Sequence, residues 1–228
     1  MKTLIIGDIH GCFDEFQALL DKVGLGTEDR IIALGDLVNR GPKSAQVIRF
    51  FMQRKHPNTH SIMGNHEQKH LLAYHRQQRP TASTLFTRWQ LSEHYHAAID
   101  YMKDLPTYIE LDDTIIVHGY FEPNIPIEAQ NDDILIGGNG SEKYLRDTYE
   151  RPWYEYYDGK KALVVGHRDW SGTMQPFIYK DRVYGIDTRC VYGGSLTGLL
   201  LPDLRFYSVP AKRDHFKKFR KRYLIDGD

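Results

Sequence analysis

Six residues of this chain carry the chemistry of cation ligands and share one local setting. Asp8, His10, Asp36, Asn65, His118 and His167 lie at or just beyond the ends of short aliphatic runs, each beside a glycine. The runs read TLIIGD, RIIALGD, HSIMGN, TIIVHG and ALVVGH. Two carboxylates, three imidazoles and an amide form a nitrogen–oxygen donor set without sulfur. Such a set suits divalent manganese, iron or zinc. Six donors exceed the four of a structural zinc site. They match two ions that share a carboxylate and keep positions open for water. Two cations about 3.5–4 Å apart lower the pKa of a shared water and clamp an anionic substrate. Phosphate esters need both services, because their negative charge repels hydroxide. Arg40, four residues past Asp36, offers a planar fork for phosphate oxygens. His66, next to Asn65, is placed to protonate a departing oxygen.

Donors so far apart in sequence meet only if the elements before them end together. The aliphatic runs are too short for helices and rich in β-branched residues, which predicts strands. Phe13, Phe16, Leu19, Leu20 and Val23 recur at helical spacing, with Gly24 as the stop. Ser44 to Lys55 repeats that pattern. Asp8 to Asp36 spans 28 positions and Asp36 to Asn65 spans 29, about one strand–helix–strand unit each. Such units build parallel strands, whose carboxyl ends carry the sites of open α/β sheets. Residues 66–103 read as helices, with His70, His75, His94 and His96 on solvated faces. From Pro106 onward strands are expected over 107–111, 114–118, 162–165, 177–180, 183–186, 196–201 and 204–208, as a second, more antiparallel sheet. Residues 119–160 read as a long surface excursion over the rim.

Composition adds bounds. Lys plus Arg equals Asp plus Glu at 30 each in 228 residues, so no global field selects an acidic or basic partner. Cys12 and Cys190 lack metal or redox spacing and read as small buried hydrophobes in a cytoplasmic protein. No export segment or membrane span is expected. The tail AKRDHFKKFRKRY (211–223) holds seven Lys and Arg, with Phe216, Phe219 and Tyr223 at helical spacing. It reads as a helix packing its aromatics on the body, with a nucleic-acid contact as the alternative.

GDIHG (7–11), GDLVNRGP (35–42) and GNHE (64–67), followed by single histidines after apolar strands, resemble the phosphoprotein-phosphatase branch of the calcineurin-like metallophosphoesterases, bacterial type. The likeness runs from residue 4 to about 208. It implies an α/β fold, a four-layer α/β/β/α sandwich of two mixed sheets flanked by helices. One metallophosphoesterase domain would span 1–210, with the basic tail 211–228 packed on it. Asp8 and His10 would bind the first of two divalent ions, manganese before iron or zinc. Asp36 would bridge, and Asn65, His118 and His167 would bind the second. A metal-bridging hydroxide would attack phosphorus, with Arg40 on the phosphate and His66 as acid. The resemblance also implies a second phosphate-binding arginine, for which Arg151 is the candidate and Arg146 the fallback. Glu67 would cap or orient, and Asp187 would end a strand or support the site.

Two positions depart from the family's pattern. Arg189 replaces a glycine in GIDTRC. Asn39 stands where the protein phosphatases carry an aspartate that charges the acid histidine. Asparagine would accept a hydrogen bond from that ring without adding charge, which favours good leaving groups. Phosphoserine or phosphothreonine in proteins is the first substrate expectation. Symmetrical hydrolysis of dinucleoside polyphosphates is the second, and trimming of nucleic-acid end phosphates the third.

Overall fold

A computed structural model describes residues 1–223, apart from the side chain of Tyr223. Three strand–helix units come first: β1 (Thr3–Ile6), α1 (Phe13–Val23), β2 (Arg30–Ala33), α2 (Ser44–Met52), β3 (Thr59–Ser61) and α3 (Asn65–Tyr74). Helices α4 (Ala82–Leu91) and α5 (Tyr95–Lys103) follow, then β4 (Tyr108–Glu110) and β5 (Thr114–Val117). Short helices α6 (Asp132–Leu135) and α7 (Ser141–Thr148) precede β6 (Ala162–Val165), β7 (Phe177–Tyr179) and β8 (Val183–Gly185). The chain then forms β9 (Ser195–Leu201), β10 (Arg205–Pro210) and α8 (His215–Tyr223).

Two five-stranded mixed sheets result, ordered β10-β9-β1-β2-β3 and β4-β5-β6-β8-β7. β1, β2 and β3 are parallel, as the 28- and 29-residue spacings require. β5, β6 and β8 are parallel in the second sheet, flanked by antiparallel β4 and β7. The second sheet is therefore less antiparallel than its sequence implied. β9 and β10, expected there, instead extend the first sheet beyond β1. The reason is burial on both faces. β1 is buried throughout and needs a ladder on each side, and β9 carries the apolar run that can supply one.

The strands alternate between two cores. Ile5, Ile32, Leu199, Ile116, Val164 and Tyr184 meet between the sheets. Leu4, Ile6, Ile31 and Ala33 face Phe16, Leu19, Val47 and Ile48 of α1 and α2. Ile115, Val117, Leu163, Val165 and Val183 face outward from the second sheet. Residues 119–160 cover them with Tyr120, Phe121, Leu135, Leu145 and Trp153, all buried. That stretch is more than a surface excursion, because with Trp170 and Tyr179 it covers the outer face of the sheet. The sandwich thus has four layers.

Phe216 and Phe219 of α8 are buried in the core over the first sheet. The Tyr223 ring and residues 224–228 lie outside the described residues. Cys12 and Cys190 are both buried. Among the described residues, no helix is long and apolar enough to cross a membrane.

Candidate metal centre

Each of the six donors follows a strand of the parallel sets, so both sheets contribute to one rim. Asp8 and His10 follow β1, Asp36 follows β2, and Asn65 opens α3 after β3. His118 follows β5 and His167 follows β6. Two glycines let the rims close. A Cβ on Gly166 would stand 2.5 Å from Asp8 Oδ1, and one on Gly64 would overlap the Asp36 carboxylate. The turns are strained as well. His10, Asp36, Asn39, Arg40 and His167 all adopt positive φ, between 44° and 71°. Non-glycine residues hold that conformation at a cost, and such strain clusters at functional sites.

Asp36 is central. Its Oδ2 lies 3.4 Å from His10 Nε2 and 3.5 Å from His118 Nε2. Its Oδ1 accepts from the His66 backbone N–H at 2.9 Å. Asp8 is arranged likewise: Oδ1 accepts from the His167 N–H at 3.0 Å, and Oδ2 lies 3.9 Å from His10 Nε2. His10 and His118 donate from Nδ1 to the carbonyls of Val38 and Leu34, at 2.9 and 2.7 Å. Both therefore present an Nε2 lone pair to the centre. Glu67 accepts from the N–H groups of Asp36, Leu37 and Gly64, tying the β2 loop to the start of α3. It orients the site, as expected.

The donors fit cations. His118 Nε2, His167 Nδ1 and Asn65 Oδ1 are buried without a hydrogen-bond partner, a costly condition unless something else engages them. Burial, with Arg40 for His10 and His118 for His167, pushes both imidazoles down to about 3. They are neutral at pH 7, as ligands must be. Burial, Asp187 and Asp36 raise the Asp8 carboxyl well above its usual range. Burial also opposes ionisation of Asp36, but His118, His10 and Arg40 hold it at about 2. Asp187 is buried beside these two and pushed up by burial, its Oδ1 accepting from the Arg189 N–H at 2.8 Å. Three buried carboxylates crowd one centre that carries Arg40, a concentration of negative charge that divalent ions relieve.

The acid candidate has an unexpected support. Asn39 Nδ2 donates to His66 Nδ1 at 3.0 Å. Asn39 Oδ1 is already taken, by the Thr87 hydroxyl and by His70 Nε2–H, each at 3.0 Å. His70 Nδ1 in turn accepts from Tyr95 OH at 3.1 Å. Asn39 is thus a donor to the acid ring, where its sequence implied an acceptor, because two other donors occupy its carbonyl. His70 is fully buried and not on a solvated face. It lies one turn along α3 from His66, a spacing that could have flagged it. His75, His94 and His96 are exposed, as expected. Burial, Arg40 and His10 push the His66 pKa well below its usual value.

Arg40 Nη1 donates to His10 Nε2 at 2.7 Å, and its guanidinium lies 5.6 Å from the Tyr192 ring centre. Arg189 stacks on the same ring at 4.0 Å. Arg189 and Arg168 line the mouth beside His167, with Tyr120 and Glu142. Arg168 was not singled out from sequence, although it directly follows His167. Arg151 is exposed over the Tyr156 ring at 4.6 Å, on an outer cleft walled by Trp153 and Trp170. Arg146 borders that same cleft.

Known proteins resemble this chain. The chain is 31% identical to the bis(5'-nucleosyl)-tetraphosphatase PrpE (asymmetrical) of Halalkalibacterium halodurans, covering 93% of this chain and 95% of the relative. It is 25% identical to the symmetrical bis(5'-nucleosyl)-tetraphosphatase of Vibrio parahaemolyticus, over 92% of this chain and 99% of the relative. A crystal structure described as a candidate diadenosine tetraphosphatase superposes with a TM-score of 0.76 at 28% identity, covering 92% of this chain and 93% of that one. A Saccharomyces cerevisiae serine/threonine phosphatase shares the fold, with a TM-score of 0.61 at 16% identity over 92% of this chain and 79% of that one. Residues 1–195 match the Calcineurin-like phosphoesterase family. With that match, the rim of carboxylates and imidazoles has its explanation: the chain belongs to the calcineurin-like metallophosphoesterases of phosphoprotein-phosphatase type and is a phosphoric ester hydrolase.

Proposed function

We propose that the protein hydrolyses dinucleoside polyphosphates, using divalent cations held by Asp8, His10, Asp36, Asn65, His118 and His167, with manganese the first choice. When bound, the ions supply Lewis acidity toward water and toward the scissile phosphate. Asp36 belongs to both halves of the donor set, since its free oxygen faces His10 and His118 alike. Arg40 holds phosphate oxygens on one side; Arg168, at the mouth and ion-paired with Glu142, joins Arg151 and Arg146 as a candidate for the second phosphate-binding arginine. His66 would hold the departing oxygen by a hydrogen bond from its neutral ring, without transferring a full proton.

The observation that carries the substrate choice is the hydrogen bond from Asn39 to His66 Nδ1. It keeps the acid ring neutral, so His66 gives limited help to a poor leaving group. A departing nucleoside phosphate, with a second pKa of about 6, needs little help. A serine alkoxide needs much more. The named tetraphosphatases, similar over nearly the whole chain, support the same order of substrates. They favour dinucleoside polyphosphates over phosphoproteins, with both asymmetrical and symmetrical enzymes among them.

The test is a manganese-supplemented comparison of diadenosine tetraphosphate with a phosphoserine peptide. The expected kcat/KM ratio is at least about tenfold in favour of the dinucleotide. A preference for the peptide would overturn the reading. The nucleotides released, ADP alone or AMP with ATP, report which phosphoanhydride is cut.

A further inference from the structure

Arg40 has a second face, turned away from the metal donors. There it borders a cavity of about 260 Å³ between α4, α8 and the turn Gly41–Pro42. Lys212, Arg213, Lys218 and Arg222 join it around this cavity. Among the described residues one carboxylate lies on the wall, Asp14, shared by Lys43 at 2.6 Å and Lys212 at 3.5 Å. Arg213 and Lys218 are exposed and have no acidic partner among the described residues. Like charges converge here because Phe216 and Phe219 fix α8 on the body. Phe219 packs on Phe86 of α4 with ring centres 5.1 Å apart. Five cations drawn around one small space repel one another, and an anion of high charge relieves that repulsion.

Size and position narrow the ligand. Pockets that enclose a whole drug-sized ligand run to roughly 300–1,000 Å³. This cavity suits the phosphate portion of a nucleotide better than an entire one. Arg40 lines the cavity and also bonds to His10, so the cavity adjoins the donor set. Past Phe86, the indole of Trp89 lies stacked at 5.7 Å and 17° between planes, and the residue is 73% exposed. Single monomeric proteins expose such a large ring at a cost, and a flat indole is a stacking platform for a nucleobase.

We infer that the cavity beside Arg40 is a subsite for the distal nucleotide, its cations holding the phosphates beyond the scissile one and Trp89 stacking the far base. The inference rests on the dinucleotide reading and names where the second half of that substrate goes. It also gives the basic segment of α8 a part in substrate binding.

The probe is inorganic tripolyphosphate, titrated calorimetrically into the full-length protein after metal removal. The double variant Arg213→Ala/Lys218→Ala is expected to bind it about tenfold more weakly. The same variant should raise KM for diadenosine tetraphosphate about tenfold and leave kcat/KM for p-nitrophenyl phosphate within about twofold. Trp89→Ala should weaken the dinucleotide and spare tripolyphosphate. Equal tripolyphosphate affinity in variant and parent would overturn the subsite. So would a parallel fall on both substrates, or tighter binding of a single-stranded oligonucleotide lost in the same variants. If tripolyphosphate binding needs Arg213 and Lys218 while the dinucleotide is not cleaved, the pocket stands and the dinucleotide reading fails.

Discussion

The side-chain amide of Asn39 donates to His66 Nδ1 across 3.0 Å, while its carbonyl is occupied by Thr87 and His70. The His66 ring is therefore held at Nδ1 by Asn39, which Thr87 and His70 hold in turn, while Lys69 Nζ lies 3.5 Å from its Nε2. Asn39→Asp keeps the shape but replaces a donor by an acceptor. The new carboxylate accepts from Thr87, His70 and a now protonated His66 Nδ1, and its charge raises the His66 pKa. Turnover of a phosphoserine peptide should rise several-fold relative to diadenosine tetraphosphate. Equal effects on the two substrates would show that His66 does not discriminate leaving groups.

His70 tests the same support from behind. His70→Phe fills the space but removes the N–H that engages Asn39 Oδ1 and the acceptor for Tyr95. The Tyr95 hydroxyl is left without its partner and Asn39 Oδ1 keeps only Thr87, a loss of about 1–3 kcal/mol, so the melting temperature should fall by several degrees. With Asn39 held by one donor fewer, kcat should drop several-fold while KM holds. The pH profile should shift as well, which a purely structural role would not cause.

Gly166 separates metal binding from folding. An added methyl stands 2.5 Å from Asp8 Oδ1 and must push the carboxylate away. Gly166→Ala should lose at least about tenfold in manganese affinity while far-ultraviolet circular dichroism stays unchanged. Unchanged affinity would mean that Asp8 is not a ligand.

Glu15 governs acid sensitivity at α8. It accepts from His215 Nε2 at 2.9 Å and from the Lys212 N–H at 3.1 Å. Burial works against its ionisation, but His215 and Lys212 hold the carboxyl down from 4.5 to about 2. Because the folded pKa is depressed, this contact stabilises fully above about pH 4.5 and is lost as pH falls toward 2. Glu15→Gln should melt several degrees below the parent at pH 7, and the two should converge near pH 2. A gap independent of pH would assign the effect to packing.

The sequence made the rim legible because each donor sits at a fixed step past an aliphatic run, and β1, β2, β5 and β6 form where those runs are. The strand–helix spacing set the parallel order of β1, β2 and β3. It could not show that β9 and β10 cross back to β1, since their pattern suits either sheet and the choice falls to burial on both faces. His70 and Thr87 were hidden for a related reason: a polar residue inside a helix looks solvated until its partner's position is known.

The claim on which the rest depends is that Asp36 is shared by two cations. Metal-depleted protein, titrated with manganese and followed by electron paramagnetic resonance, tests it most directly. Two ions per chain with a spin-coupled spectrum are predicted, falling to a single uncoupled ion in His118→Ala. One ion in the parent, or two that never couple, would contradict the account.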